Sequence, residues 1–174
     1  MNYYGTLGSN SELESPVHPG GKHILMSARR PSRDHLAQSD GTWHLSLERL
    51  KAAAKERLNS DFAVAMAALH DGWPDYEIQT WTVQAEEARQ WMAAKADVKP
   101  VVPFLSNLHA QREAMGWEGT LEELVERVIQ NTNAYTAATA SLIGRRHVAE
   151  RAIDAADDPS SIAWDFSLPT TTEG

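Results

Sequence analysis

The sequence predicts an α+β fold: a small N-terminal β-rich module over residues 1–45, an α-helical bundle or long helical hairpin over 46–157, and an acidic tail over 158–174. Three observations carry this prediction. The first 45 residues consist of short apolar stretches separated by turn residues, among them Gly20-Gly21 and Ser39-Asp40-Gly41. From Ser46 onward apolar residues recur every three or four positions among many alanines. Thr120-Leu121-Glu122-Glu123 then marks a helix start, because a threonine hydroxyl can accept from the amide of the third residue on, whose carboxylate reaches back.

Within the β-rich region, Met1–Tyr4 reads as a strand and Gly5-Thr6-Leu7-Gly8 as a loop. Gly20-Gly21 breaks the chain before a second strand, His23-Ile24-Leu25-Met26. Pro31 pushes Arg30 toward extended geometry, since its ring disfavours the α region for the preceding residue. Leu36-Ala37-Gln38 and Thr42-Trp43-His44 flank Ser39-Asp40-Gly41 as a hairpin, with Gly41 free to take positive φ. A region this small buries little apolar area and is expected to lean on the helices or on a partner.

In the helical region Ser46 is the expected cap of a first helix reaching about Leu69, with Leu47, Leu50, Ala54, Leu58, Phe62, Ala65 and Leu69 on one stripe. Gly72 and Pro74 end it, Tyr76–Trp81 reads as an extended linker, and Thr82 as the cap of a short helix through Ala94. Pro100 and Pro103 bracket a turn before a helix from Phe104 to Met115, closed by Gly116. The last helix runs from Thr120 to about Asp157. Its stripe is Val125, Val128, Thr132, Tyr135, Thr139, Leu142, Arg146, Ala149, Ile153 and Ala156. Alternating steps of four and three are coiled-coil spacing, but the polar middle weakens a dry seam. The expectation is an antiparallel hairpin with the first helix, with self-association through the helices as the other way to cover the stripe.

The chain has 174 residues, 16 Lys plus Arg against 24 Asp plus Glu, and a formal charge of −8. Neither nucleic acid nor an anionic membrane attracts such a surface, so neither is expected as a partner. Cysteine is absent, which removes disulfides and thiolate chemistry. The longest apolar run, Ala63–Leu69, is too short to span a bilayer, and Met1-Asn2-Tyr3-Tyr4 lacks the basic and apolar regions of a signal peptide. A soluble, cytosolic protein is expected.

Motifs that carry chemistry are sparse. The seven histidines form no i, i+4 helical pair and no HExxH, so no metal site is expected. Glu86-Glu87 and Glu122-Glu123 fall in first helical turns, where acids suit the exposed amides, and adjacent residues diverge by about 100° on a helix. No GxSxG, P-loop or GxGxxG occurs. No enzyme activity and no cofactor are expected; a hydrolase would need His35 and Asp40 to converge on an apolar cleft. Arg29, Arg30 and Arg33 form the one basic cluster of the N-terminal region, suited to solvent or to a carboxylate-bearing or aromatic partner surface. Trp73, Trp81, Trp91 and Trp117 suit helix junctions, whereas Trp43 and Trp164 are harder to bury; Ile162-Ala163-Trp164-Asp165-Phe166 reads as a docking segment or a flexible end.

Several stretches resemble small phage tail-fibre assembly proteins, including those of phage-tail-like bacteriocins of the R-type pyocin kind. They are Tyr3-Tyr4-Gly5; Ile24-Leu25-Met26-Ser27-Ala28-Arg29-Arg30-Pro31; Ala37-Gln38-Ser39-Asp40-Gly41-Thr42-Trp43; Pro74 through Ala88; Pro103-Phe104-Leu105; and Ser141 through Arg146. The resemblance implies a non-enzymatic chaperone that binds the C-terminal tip of a trimeric tail fibre, helps it fold and trimerise in the host cytoplasm, and in some systems stays on the finished particle. The β-rich module is the natural contact, with Tyr3, Tyr4, Met26, Arg29, Arg30, Pro31 and Trp43 as the partner-binding residues. The helical C-terminal half departs from the best-known members. A permanent structural adaptor or cap of a tail particle is the alternative function.

Overall fold

A computed structural model describes residues 1–168. Of the acidic tail, only 158–168 are therefore described, and the run Thr170-Thr171-Thr172 lies outside the described residues. The architecture is α+β, with five short strands preceding the helices. The chain divides into two compact units, Met1–Ser60 with Arg146–Trp164, and Asp61–Arg145 with the segment from Asp165 onward.

The first unit begins with a three-stranded antiparallel sheet of order β2-β1-β3, where β1 is Asn2–Thr6, β2 is Glu12–Ser15 and β3 is His23–Met26. The N-terminal strand is thus the central one. It pairs Tyr4 with Leu13 on one side and with Leu25 on the other. Gly5-Thr6, expected in a loop, completes β1; the turn comes at Leu7-Gly8, where Gly8 takes φ of 68°. β2 was not legible: Glu-Leu-Glu-Ser offers one apolar residue, and pairing to β1 sets its conformation where propensity does not. Because β2 ends opposite Asn2 and β3 starts opposite Thr6, residues 16–22 must cross back along β1. They do so on the Tyr4 side, where the His18 ring meets Tyr4 edge-on at 5.0 Å.

The other face of the sheet carries the hairpin of β4 (His35–Ala37) and β5 (Trp43–Leu45). A Cβ at Gly5 would lie 2.7 Å from the Ala37 Cβ, 3.0 Å from the Trp43 ring and 3.1 Å from the Met26 sulfur, so only glycine permits this approach. Gly41, at φ 83°, closes the hairpin loop, and its carbonyl accepts from the Ser27 amide of the neighbouring sheet segment. Asp40 accepts from the amide and hydroxyl of Thr42, which holds its carboxyl below the ordinary aspartate value. The depressed value means that this contribution is complete above the ordinary aspartate range and is lost as pH falls through the folded-state value. The Asp40 side-chain carboxyl carbon is therefore expected to titrate by NMR at lower pH than in a Thr42→Val variant; coincident midpoints would refute the bond.

α1 (Leu47–Ala68) starts as expected at Ser46, whose hydroxyl accepts from the Arg49 amide at 3.3 Å. Within the first unit, the early part of α1 and the end of α5 (Leu121–Ala155) run antiparallel. The Lys55 ammonium lies 2.7 Å from the Asp154 carboxylate, while further along α1 the Asn59 amide oxygen accepts from the Arg146 guanidinium at 3.0 Å. Ala54, Leu58, Ala149 and Ile153 are buried along this seam; Leu47, expected on the stripe, is exposed. A 3-10 turn at Pro159–Ser161 follows, with Pro159 buried. The Arg57 guanidinium lies 4.7 Å from the Trp164 ring centroid.

The second unit has its own core of Ala88, Val102, Leu105, Leu124, Val125 and Val128. Residues 76–81 are not an extended linker. α2 (Asp75–Ile78) is one helical turn started by Pro74, whose carbonyl accepts from Glu77 and Ile78, with Asp75 and Glu77 favourably placed at its N-terminal end. α3 (Trp81–Ala93) begins ahead of Thr82: Thr80 holds the cap position, its hydroxyl donating to the Glu77 carbonyl. α4 (Pro103–Ala114) opens on a proline, as suits the first helical position, and closes on Gly116 at φ 90° with the paired bonds Gly116 N–H to Glu113 and Trp117 N–H to Arg112. The Thr120 capping box is formed in both directions, at 2.8 and 3.2 Å.

The N-terminus of α4 has no cap of its own. Glu87 of α3 supplies one, its two carboxylate oxygens accepting from the amides of Phe104 at 3.1 Å and Leu105 at 2.9 Å. Glu87→Ala is expected to cost about 1.5–3 kcal/mol, the scale of hydrogen bonds to a charged group, read as a lower urea midpoint; an unchanged midpoint would show that water replaces it.

The upper α5 stripe behaves as its spacing requires: Val125, Val128 and Leu142 are buried, and Thr132, Tyr135 and Thr139 half-buried. The Thr132 hydroxyl turns back onto the Val128 carbonyl at 2.7 Å, so one polar stripe position is satisfied within the helix. Tyr135 joins His70 and Trp81 in an aromatic cluster, with 3.1 Å between His70 Nε2 and the Tyr135 oxygen. Trp81, Trp91 and Trp117 are half-buried, while Trp73 remains nearly half exposed at the edge of this cluster.

Candidate functional site

The seven residues that the resemblance assigns to partner binding do not form one surface. Tyr4 and Met26 are 3% and 4% exposed, one on each face of the sheet, and serve as its packing. Tyr3 shares the Met26 row and is half-buried. Trp43 is half-buried against Gly5, with its indole N–H donating to the Ala28 carbonyl at 2.9 Å. Arg30 is committed internally: its amide donates to the Glu12 carboxylate at 2.7 Å and its guanidinium to the Asn10 carbonyl. Arg29 is exposed, with its Nε 3.9 Å from Glu12, and Pro31 is exposed beside it. Aromatic and apolar residues near turns therefore did two jobs that sequence cannot separate, since the side chains that attract a partner are also those that build a small core.

The exposed apolar surface of the module comes from other residues. Leu13 and Leu25 flank Tyr4 in the row Leu13–Tyr4–Leu25 across β2, β1 and β3, and are 41% and 54% exposed. Val17, on the crossing segment, is exposed as well. β2 pairs with β1 alone, so its outer edge meets no other strand among the described residues. Glu12 of this strand is held by Arg29 and Arg30, whereas the exposed Glu14 carboxylate makes no hydrogen bond or ion pair among the described residues. The sequence signal for this edge was the two-residue alternation Glu12-Leu13-Glu14-Ser15, which is too short to separate from a polar loop.

His35 and Asp40 each have partners of their own. The His35 imidazole Nδ1 lies 2.9 Å from the Ser32 hydroxyl, and Asp40 is engaged with Thr42, so the pair that a hydrolase would need is separately occupied. Among the described residues no group of three or more His, Asp or Glu side chains is placed to hold a metal ion, and no helix is long and apolar enough to cross a membrane. Among the described residues the surface combines an unpaired β2 edge, the unengaged Glu14 carboxylate, and the exposed Leu13 and Leu25 on one face of the sheet. Comparison with protein-family models, curated proteins and solved structures finds no match to this chain.

Proposed function

We propose that this chain is a non-enzymatic chaperone that binds the C-terminal tip of a trimeric phage-type tail fibre and assists its folding, trimerisation and assembly. It acts in the bacterial host cytoplasm and remains on the particle where the complex outlasts assembly. The observation that carries this reading is the β2 edge, open among the described residues, with the exposed Leu13 on that strand and the exposed Leu25 of β3 on the same face of the sheet. Intertwined β-fibres fold slowly and expose unpaired strand edges, and a protein that covers those edges suppresses wrong pairing. The segmental resemblance of Tyr3–Gly5, Ile24–Pro31 and Ala37–Trp43 supports the same reading, since all three stretches lie in the β module.

Co-expression with a candidate fibre, followed by size exclusion with light scattering, tests it. The fibre is expected to be soluble and trimeric only with this chain present. A fibre that folds equally well alone refutes the chaperone role, and retention of the chain in purified particles would then favour a structural adaptor.

A further inference from the structure

The β2 edge carries enough information to name the kind of segment that covers it. Its side chains alternate in register with β1: Glu12 and Glu14 share rows with Gly5 and Tyr3 on the hairpin side, and Leu13 shares the row of Tyr4 on the other. Any strand added outside β2 continues these rows, with one of its side chains beside Leu13 and a neighbouring one beside Glu14. Arg29 and Arg30 already occupy Glu12, which leaves Glu14 as the charge of the edge without a partner among the described residues. A second copy that continued the sheet with its faces aligned would set glutamate against glutamate, and two chains of charge −8 repel in addition.

We propose that the outer edge of β2 binds an extended segment of a partner protein as a fourth strand of the sheet, with lysine or arginine facing Glu14 and an apolar residue packing beside Leu13. Backbone pairing supplies sequence-independent affinity, and the alternation of basic and apolar side chains supplies selectivity. The identification of that segment with a strand of the fibre tip rests on the chaperone reading; the pairing chemistry itself does not.

The test uses the full chain and short soluble peptides of alternating lysine and valine, alternating glutamate and valine, and the lysine–valine peptide N-methylated on alternate amides. Binding is followed by NMR on the amides of Leu13, Glu14 and Ser15 at physiological salt. The lysine–valine peptide is expected to shift these amides, to bind about fivefold to tenfold tighter than the glutamate–valine peptide, and to lose binding when N-methylated. Glu14→Lys is expected to reverse the preference while the far-UV spectrum stays unchanged. Equal binding of both charged peptides, undiminished binding after N-methylation, shifts confined to other residues, or no binding at all would each overturn the proposal. The Glu14→Lys chain in the co-expression assay separates the two readings. If wild type and variant rescue the fibre equally, the edge is not the docking site and the chaperone role stands. If wild type fails to rescue while the peptides still discriminate, the chaperone role falls and the edge chemistry stands.

Discussion

Leu105→Ala is expected to destabilise the second unit by about 2–5 kcal/mol, the range for deleting a fully buried leucine. Leu105 has no exposed surface and lies in the core with Ala88, Val102, Leu124, Val125 and Val128. Two features push the cost toward the upper end. Its own amide is one of the two held by Glu87, so the helix start cannot easily shift to fill the void. Ala88 is already minimal in size and cannot expand into it. The measurement is urea denaturation followed by tryptophan fluorescence, which reports on Trp91 and Trp117 packed against this core. A loss below about 1 kcal/mol would mean that the cavity collapses and that the core is looser than its burial implies.

Gly5→Val is expected to release the hairpin from the sheet. The first added carbon already falls 2.7 Å from the Ala37 Cβ, and because the backbone fixes the Cβ position no change of rotamer relieves that contact. Overpacking of a well-filled site costs about 1–3 kcal/mol, and a β module this small has little reserve. Loss of hydrogen-exchange protection at the amides of Ala37 and Ser27, which bond to Ser9 and Gly41, is the expected signature, with the second-unit core still protected. Retained protection at both amides would show that the site accommodates the added side chain and that the hairpin stays on the sheet. Alanine at position 5 is the graded control, since it adds the clashing Cβ alone.

These two sites differ in how readable they were. The α5 stripe could be read because a 35-residue helix repeats its pattern many times, and the capping box fixed its start. Residues 75–78 looked extended because one helical turn is too short to show a period, and its signal lay in Pro74. The β module was legible as strands, yet its centre was not: Gly5 looked like loop punctuation when its missing side chain was the packing contact. The contact surface was least legible. Tyr4 and Met26 have the composition of a binding site and the burial of a core, while Leu13, in a polar four-residue run, has the reverse.

The placement of β1 between β2 and β3 sets the order in which the module can be completed during synthesis. Of the three strands of this sheet, β1 is made first and is the one both neighbours need, since among the described residues neither β2 nor β3 pairs with any other strand. It has to wait for residues 16–22 to reach the Tyr4 face, then for β3, and then for the hairpin that covers the Gly5 face. During that interval the nascent chain itself carries unpaired edges and an uncovered Tyr4, the same hazard that the folded protein is proposed to relieve in its partner. Loss of the first six residues would correspondingly remove both ladders of the sheet at once, whereas loss of β2 would remove only one.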